Sequence, residues 1–365
     1  MPAPDVYIAA ANERDIPGKS INSLLTNVVD NYATDSLTQE TNRMREFANP
    51  ENEMTDSGGF ALLNAEKKGK KIIHDKTKPI NYKGTLNFTP HHVINVVRKQ
   101  RQNEFVAPDF PVRKISDPSQ QETEYKRKKK FNVPWARETA ELRQKYCPEV
   151  GLLIALQGYN LSHIEDIYRS IDGIEFNGIS MPVRNMALPE IALIMVRSWQ
   201  LGIDRFHLLG VTEFFTLALA AYMARHFFKR VSLDSRTWKI RAIFNTYLNP
   251  YDLMGDELRN TVIIDESIKM DCSCPWCKDR SFNYIKHLPY YDRRILLGCH
   301  NFWVTEKAAI DLYENSECLS QLGRYLKSTC RRTHEIDKLI NTLYLIEVFK
   351  DVDIRYLQDQ LFLSG

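Results

Sequence analysis

Short apolar runs that end at polar residues alternate with longer amphipathic segments along most of the chain. Apolar runs of this kind predict buried β-strands, and the amphipathic segments between them predict helices. The predicted strands lie at or end within residues 6–10, 54–56, 105–109, 152–157, 174–179, 206–211 and 231–234. The predicted helices include residues 90–101, 162–171, 189–201 and 213–228. This alternation indicates parallel βαβ units.

A polar residue or a glycine closes most of the predicted strands. These residues are Asp56, Asp109, Gln157, Gly178, Gly210 and Asp234. In a closed (β/α)8 barrel they would meet at one mouth, the C-terminal face, where the active sites of such barrels lie. In an open doubly wound sheet they would spread along an edge. The pattern therefore favours an α/β fold of the (β/α)8 TIM-barrel type.

Three closely spaced cysteines follow the last predicted barrel strand. Cys272, Cys274 and Cys277 lie within six residues, and His300 follows after 22 intervening positions. Zn²⁺ prefers four tetrahedral nitrogen and sulfur ligands, and Cys₃His is a common closed set that leaves the ion structural. Cys299 is an alternative fourth ligand. We expect a single barrel domain over residues 1–365, with a zinc-binding subdomain at about 265–330 and helices at the C-terminal end.

Composition and charge narrow the class of protein. The chain has 365 residues, of which 43% are hydrophobic and 26% charged, as in a folded protein with a large core. Its net charge of +3 says little about partners. Two lysine-rich segments, residues 67–71 and 126–130, fit either solvated loops or contacts to phosphate groups. The polar, basic segment 113–135 predicts a long exposed insertion.

Membrane and secreted classes are not favoured. The longest apolar stretch, residues 214–224, is too short to cross a bilayer. The N-terminal residues lack the basic and apolar regions of a signal peptide. Seven cysteines, three of them in a metal-type cluster, suit a reducing cytoplasm better than a disulfide framework. We therefore expect a cytoplasmic protein with no membrane contact.

Two aspartates, Asp56 and Asp234, lie in sequence motifs that suit a catalytic carboxylate. Asp56 lies in the run Thr-Asp-Ser-Gly-Gly-Phe, in which paired glycines let the backbone approach a flat ligand closely. Asp234 ends the predicted strand 231–234. A plain structural turn explains the first motif equally well, and a helix N-cap explains the second.

The order of these motifs resembles the tRNA-guanine transglycosylase family, the queuine and archaeosine base-exchange enzymes. The run from Thr55 to Phe60 is similar to that family's Thr-Asp-Ser-Gly-Gly-(Tyr/Phe) hallmark. Further similarities are Ala155-Leu156-Gln157-Gly158, Asn177-Gly178-Ile179-Ser180, Leu208-Leu209-Gly210-Val211, Leu233-Asp234-Ser235 and the cysteine cluster with His300-Asn301. The resemblance covers about residues 54 to 301 and implies a TIM barrel with structural zinc.

The resemblance also implies roles for particular residues. Asp234 would be the nucleophile and Asp56 its acid/base partner, as two-step retention at a sugar carbon requires. The base would contact Ser57, Gly58, Phe60, Asp109, Gln157, Gly178, Ile179, Leu209 and Gly210. Phosphate groups would contact Arg236, Lys239, Arg241, Lys128 and Lys129.

Departures from the family change the expected substrate. Bacterial tRNA enzymes of the family carry an arginine-rich run after the nucleophile, whereas this chain reads Asp234-Ser235-Arg236-Thr237-Trp238. This looks more like the DpdA-type DNA transglycosylases of phages and bacterial genomic islands, which insert a 7-deazaguanine such as preQ0 into DNA. We therefore expect a DNA enzyme in a bacterial or phage-infected cell. The alternatives are a tRNA enzyme of the same chemistry, and a non-catalytic nucleic-acid-binding subunit, against which the two retained aspartates argue. A homodimer is compatible with the resemblance.

Overall fold

The computed structural model of the protein describes residues 2–9, 23–27, 51–100, 102–249, 272–278 and 280–363. The strands in these ranges are, in chain order, β1 (Asp5–Ala9), β2 (Ser23–Asn27), β3 (Asn52–Asp56), β4 (Ile72–Ile73), β5 (Asn81–Tyr82), β6 (Thr85–Asn87), β7 (Glu104–Val106), β8 (Gly151–Ala155), β9 (Gly178–Pro182), β10 (Arg205–Leu209) and β11 (Arg230–Ser235). The helices are α1 (Gly59–Lys67), α2 (Pro90–Val97), α3 (Pro118–Tyr146), α4 (Leu161–Ser170), α5 (Leu188–Gln200), α6 (Phe214–His226), α7 (Thr237–Ile243), α8 (Phe282–His287), α9 (Tyr290–Glu314), α10 (Leu319–Thr329), α11 (Thr333–Phe349) and α12 (Ile354–Leu363).

Eight parallel strands close into a barrel in the order β1-β11-β10-β9-β8-β7-β3-β2. The predicted (β/α)8 barrel is confirmed. One barrel strand, β2, was not predicted, because its sequence Ser-Leu-Leu-Thr-Asn has only two adjacent apolar residues. The strands β4, β6 and β5 form a separate small sheet between α1 and α2.

Inside the barrel, β3, β7 and β8 contribute apolar side chains, and several of the described side chains on β9, β10 and β11 are polar. Met54, Val106, Leu153 and Ala155 form an apolar cluster that is separate from the larger core. On the adjoining strands the register places Ser180 of β9 beside His207 of β10, and His207 beside Ser232 of β11. Because side chains alternate along a strand, Asp234 lies on the same face as Ser232. A polar wall therefore leads to Asp234.

Ion pairs close the N-terminal end of the barrel. Glu104, the first residue of β7, is 2% exposed. Its carboxylate oxygens lie 3.2 Å from Nη1 of Arg230 and 3.4 Å from Nη1 of Arg205. Arg230 Nε also lies 2.6 Å from Asp5 Oδ2. These four residues begin four different strands, so they form the floor of the barrel, opposite the mouth.

The polar segment 113–135 is not an exposed insertion, as its composition had predicted. Most of it belongs to α3, a barrel helix that begins at Pro118. The carboxylate of Asp117 accepts a hydrogen bond from the Gln120 N–H (2.7 Å) and caps the helix, and proline at the first helical position is favourable. The segment is polar because much of this helix faces solvent.

The proposed contact between Lys128 and nucleic acid is wrong. Its side chain is fully buried, and its Nζ lies 2.6 Å from Glu66 Oε2 and 3.0 Å from the ring centre of Phe110. Burial lowers the pKa of Lys128 to about 8, and Glu66 offsets part of that shift. Lys129 is paired with Asp166 of α4 at 2.6 Å. The basic run thus ties α3 to neighbouring helices.

We expect Lys128→Ala to lower the free energy of unfolding by ~2–3 kcal/mol, because a partly buried Glu66 carboxylate loses one of its cations. Arg127, 2.7 Å from Glu66, remains as the second. Lys126→Ala is the matched control, since its side chain is 69% exposed, and it should change stability by less than ~0.5 kcal/mol. Denaturant unfolding measures both. If Lys128→Ala kept full stability and weakened binding to nucleic acid, the result would contradict the structural role of Lys128 and support its contact with phosphate groups.

The C-terminal helices pack on the outside of the barrel. Helix α11 contacts α5 and α6, and α12 contacts α5. The Tyr222 hydroxyl of α6 donates a hydrogen bond to Glu347 of α11. Every helix in the part of the chain that the structure describes is too short or too polar to cross a membrane.

Candidate active site

Five of the predicted site residues meet at the C-terminal mouth of the barrel. Asp56 is the last residue of β3, and Asp234 is the last but one of β11. Asp109, Gln157 and Gly210 follow the ends of β7, β8 and β10 within three residues. Because all eight strands are parallel, these positions share one rim.

Asp109 is held by two other predicted site residues. The Ser57 hydroxyl donates to Asp109 Oδ1 at 2.9 Å, and the Gln157 amide donates to Oδ2 at 2.5 Å. Gln157 Oε1 in turn accepts a hydrogen bond from the Val112 N–H at 3.0 Å, which fixes the orientation of the amide. Asp109 is only 5% exposed. The loops after β3, β7 and β8 are therefore joined through one buried carboxylate.

The paired glycines after Asp56 are explained by this carboxylate. Gly58 has φ of 88°, a left-handed conformation that favours glycine. At Gly59 a Cβ atom would lie 2.5 Å from Asp109 Oδ1, so a larger residue would displace that carboxylate. Gly59 is also the first residue of α1, and a helix N-terminus favours a nearby anion. The Gly-Gly pair thus accommodates a protein carboxylate at the base of the site.

Burial raises the pKa of Asp109 to about 6, although the hydrogen bonds from Ser57 and Gln157 offset part of the effect. At neutral pH the carboxyl group is mostly ionised, yet little free energy is needed to protonate it. A carboxylate in this state can accept hydrogen bonds from the N–H groups of a heterocycle. The shift also marks the site as a functional candidate.

The Asp109 carboxylate should make stability depend on pH. Its folded pKa of about 6 lies above the unfolded value near 3.9, so the folded state retains a proton that the unfolded state releases between these pH values. The resulting stabilisation is full below pH ~4 and is lost as the pH rises through 6. As the pH rises from 4 to 8, the wild type should therefore lose ~3 kcal/mol of unfolding free energy that Asp109→Asn, which has no carboxyl group at this position, does not lose. A difference that stays constant across this range in denaturant titrations would contradict the assignment.

Asp234 is held by the strand beside it. Its Oδ1 accepts a hydrogen bond from the Gly210 N–H at 2.9 Å and lies 3.3 Å from His207 Nε2. Gly210 has φ of +80°, and this left-handed conformation presents its N–H to the carboxylate. Asp234 is 8% exposed. His207 was missed by sequence reasoning; its only signal is a histidine inside the apolar strand Arg-Phe-His-Leu-Leu.

The predicted contact of Gly178 and Ile179 with the base is wrong. They begin β9, whereas the sequence pattern had placed them at its end. A Cβ atom on Gly178 would lie 2.6 Å from the Cβ of Arg205, which belongs to the barrel floor. The glycine is needed there for close strand packing. The mouth end of β9 is instead Pro182, followed by the loop 183–187, in which Asn185 has φ of 68°.

Two apolar side chains stand at the same mouth. Phe60, in the first turn of α1, is 58% exposed, and Leu209, the last residue of β10, is half-buried. An exposed aromatic ring beside buried carboxylates is a suitable surface for stacking a flat heterocycle. Whether the two side chains enclose a base stays a prediction.

Helix α7 begins at Thr237, three residues after Asp234; it carries the cations Lys239 and Arg241, and Arg236 is its N-cap residue. Arg236 is exposed, and Lys239 and Arg241 are half-buried. Burial and, secondarily, the nearby Arg294 lower the pKa of Lys239. A concentration of positive charge beside the mouth suits an anionic partner.

The cysteine cluster and His300 form a buried metal-binding group. The three Sγ atoms and the histidine nitrogen all lie within 4.8 Å of one another. His300 Nδ1 is 3.5 Å from Cys272 Sγ, 3.4 Å from Cys274 Sγ and 3.2 Å from Cys277 Sγ. A tetrahedral zinc ion with bonds of ~2.0–2.3 Å places nitrogen and sulfur about 3.5 Å apart. The donor set therefore fits structural Zn²⁺.

The surroundings of His300 support this role. Its Nε2 donates to the Leu248 carbonyl at 2.7 Å, which leaves Nδ1 for an ion, and such an outer hydrogen bond is typical of metal-binding histidines. Tyr247 stacks on the imidazole at 3.9 Å. Cys299 is buried but stands outside the cluster, so the fourth ligand is His300.

Comparison with known proteins adds to this geometry. The profile of the queuine tRNA-ribosyltransferase family matches residues 13–310, well over half of the chain. The tRNA-guanine(15) transglycosylase of Pyrococcus abyssi (strain GE5 / Orsay) is 26% identical over 186 residues. That match covers 49% of this chain and 29% of the relative, so the chain spans less than a third of the relative's length.

Proposed function

The chain belongs to the queuine tRNA-ribosyltransferase family, and from this we propose that it exchanges a guanine base in a nucleic acid for a 7-deazaguanine. The observation that carries the proposal is the convergence of Asp56, Asp234 and the Ser57–Asp109–Gln157 group at one barrel mouth. We assign the two displacements to the rim carboxylates Asp234 and Asp56, and binding of the base to the buried carboxylate of Asp109.

Retention at the sugar carbon C1′ requires two displacements. In the first, an Asp234 carboxylate oxygen bonds to C1′ while the glycosidic C–N bond breaks, and its electron pair leaves with guanine, which takes up a proton. In the second, the incoming base attacks C1′ and loses a proton, and the ester electron pair returns to Asp234. We assign Asp56 as the group that delivers and removes these protons. Cys272, Cys274, Cys277 and His300 would hold a zinc ion in a structural role, because four protein ligands would leave it no open position, and the proton transfers fall to the carboxylates.

Recognition of the base is assigned to the buried group at the mouth. Asp109 can accept hydrogen bonds from the amino and ring N–H groups of guanine, and Gln157 lies within 2.5 Å of it. We assign Ser57 and the Gly58 backbone as further contacts of the base. We place the ring of the base against Phe60 and Leu209.

We propose DNA as the nucleic acid. The run after Asp234 lacks the arginine-rich pattern of bacterial tRNA enzymes. In the structure it leads into the short helix α7, with cations at the N-cap residue Arg236 and at Lys239 and Arg241 of the helix. A guanine in duplex DNA would have to leave the base stack to reach a buried carboxylate. A tRNA substrate is the second candidate, favoured by the names of the matched family and of the relative.

Incorporation of labelled base tests the substrate. Purified protein is incubated with labelled guanine or preQ0 and with duplex DNA, single-stranded DNA or unmodified tRNA. Label in DNA that is absent from the Asp234→Asn variant supports the proposal. Label in tRNA but not in DNA overturns the choice of DNA and leaves base exchange standing. No label and no covalent adduct with any of the three would contradict base exchange.

A further inference from the structure

We propose that His207 is a positioning residue for Asp234, and that Ser232 fixes the tautomer of His207 that this requires. The inference rests on the proposed role of Asp234 as nucleophile. It assigns a task to a buried histidine that the reaction itself does not use.

The three side chains form one line across two adjacent strands. His207 is fully buried in the middle of β10, with its Nδ1 2.8 Å from Ser232 Oγ of β11. Its Nε2 lies 3.3 Å from Asp234 Oδ1. The two atoms are close, but the pair lacks the geometry of a hydrogen bond in this structure, and catalytic contacts of this kind often tighten once substrate is bound.

The contact with Ser232 fits either tautomer of His207, because a hydroxyl can donate to Nδ1 or accept from it; the Asp234 carboxylate that faces Nε2 favours the tautomer in which Ser232 donates. A serine hydroxyl that donates to Nδ1 requires Nδ1 to be unprotonated, so the ring proton of the neutral imidazole resides on Nε2. Nε2–H then faces the Asp234 carboxylate. With the other tautomer, an Nε2 lone pair would face a carboxylate oxygen and repel it. Ser232, 3% exposed, is thus placed to stabilise, as a donor to Nδ1, the tautomer that holds Asp234.

Contacts to one oxygen fix the orientation of the Asp234 carboxylate. The Gly210 N–H donates to Oδ1, and His207 Nε2 faces the same oxygen. Among the residues that the structure describes, none donates a hydrogen bond to Oδ2, which we assign as the atom that bonds to C1′. After attack Oδ1 becomes the ester carbonyl oxygen and keeps the same two donors. They also withdraw electron density, which favours departure of the carboxylate in the second displacement.

Ser180 offers a matched control on the other side of His207. The strand register places it directly beside His207, on β9. Its hydroxyl is fully buried, like that of Ser232, and finds no hydrogen-bond partner within the described ranges. Ser180→Ala therefore removes the same atom at the same barrel depth without touching the imidazole.

The test combines a tautomer measurement with single-turnover kinetics. The tautomer is measured by NMR in ¹⁵N-histidine-labelled protein, where the His207 signal is assigned by its loss in His207→Gln. We expect the Nε2–H tautomer in the wild type and a mixture of the two tautomers in Ser232→Ala. Formation of the covalent adduct should slow about tenfold in Ser232→Ala and about a hundredfold in His207→Leu, as for loss of hydrogen bonds to a charged group. His207→Gln should recover part of the rate, because its amide nitrogen can occupy the place of Nε2. The KM and the thermal unfolding midpoint of Ser232→Ala should match those of Ser180→Ala.

Contrary outcomes separate this inference from the proposed function. An Nδ1–H tautomer in the wild-type protein overturns the positioning role whatever the activity. Equal adduct rates in wild type, Ser180→Ala and Ser232→Ala, with adduct clearly formed, overturn the positioning role and leave the nucleophile assignment intact. Absence of adduct in wild type overturns the proposed function and the positioning role with it.

Discussion

Asp234→Asn is expected to abolish the covalent adduct between protein and nucleic acid and to reduce base exchange at least ~10⁴-fold. An amide is neutral and a poor nucleophile, so the first displacement has no attacking group. The fold should be unaffected, because the asparagine oxygen can still accept the Gly210 N–H that Asp234 Oδ1 accepts at 2.9 Å. Denaturing electrophoresis of the protein with labelled nucleic acid, in the absence of free base, measures the adduct.

Asp56→Asn is the matched control for this prediction. It removes the other rim carboxylate by the same isosteric change but leaves the attacking group in place. We expect this variant to form the adduct more slowly and to be impaired in exchange, since proton transfer to and from the bases is lost. If Asp234→Asn retained the adduct and Asp56→Asn did not, the two roles assigned here would have to be exchanged.

Loss of the metal ion should have the second large effect, on folding. Cys274→Ser is expected to release zinc and to destabilise the C-terminal half of the protein by several kcal/mol, since binding of structural zinc contributes ~10–16 kcal/mol in small domains. Cys274 is fully buried and is part of a small hydrophobic core with Ala242 of α7 and Leu297 of α9. Atomic emission analysis and thermal unfolding of the same samples measure zinc content and stability together.

The consequences of metal loss should reach the active site through α7. Asn301, next to the ligand His300, accepts the Leu248 N–H at 2.9 Å and donates to the Thr246 carbonyl at 2.9 Å. Trp238 of α7 packs against Gly298 of α9, where a Cβ atom would lie 3.2 Å from the indole. These contacts connect the metal centre to the helix that follows Asp234. Base exchange should therefore fall with zinc content.

Cys318→Ser controls for the loss of a cysteine, because Cys318 is exposed and lies outside the metal-binding group. It should keep stoichiometric zinc and an unchanged unfolding midpoint. Folded, active wild-type protein that contains no zinc would contradict the structural role of the metal.

Much of the fold could be predicted from local sequence. The alternation of apolar runs and amphipathic segments predicted a parallel barrel, because strands in such a barrel are buried on both faces. The spacing of Cys272, Cys274 and Cys277 predicted a zinc site, because these ligands lie on one tight segment and need only one distant partner. Asp56, Asp109, Gln157 and Asp234 were predicted at the mouth, because the ends of parallel strands share a rim.

Other predictions depended on information that the sequence does not contain locally. The pattern placed Gly178 at the end of a strand that it begins, because strand register is set by neighbouring strands and not by the segment itself. Lys128 looked like a surface cation because four basic residues surround it, yet its position on α3 turns it toward Glu66. A charge run on a helix always divides between two faces, and tertiary packing decides which one is buried.

The sequence by itself determined the barrel, the metal ligands and the aspartates at its mouth, since each follows from local spacing or strand order. Only the tertiary structure decided how the carboxylates are held. Asp109 packs against Gly59 and accepts hydrogen bonds from Ser57 and Gln157, whereas Asp234 accepts one from the Gly210 N–H and lies 3.3 Å from His207 Nε2. These partners lie 24 to 52 positions apart in the chain, so only the parallel pairing of neighbouring strands brings them together.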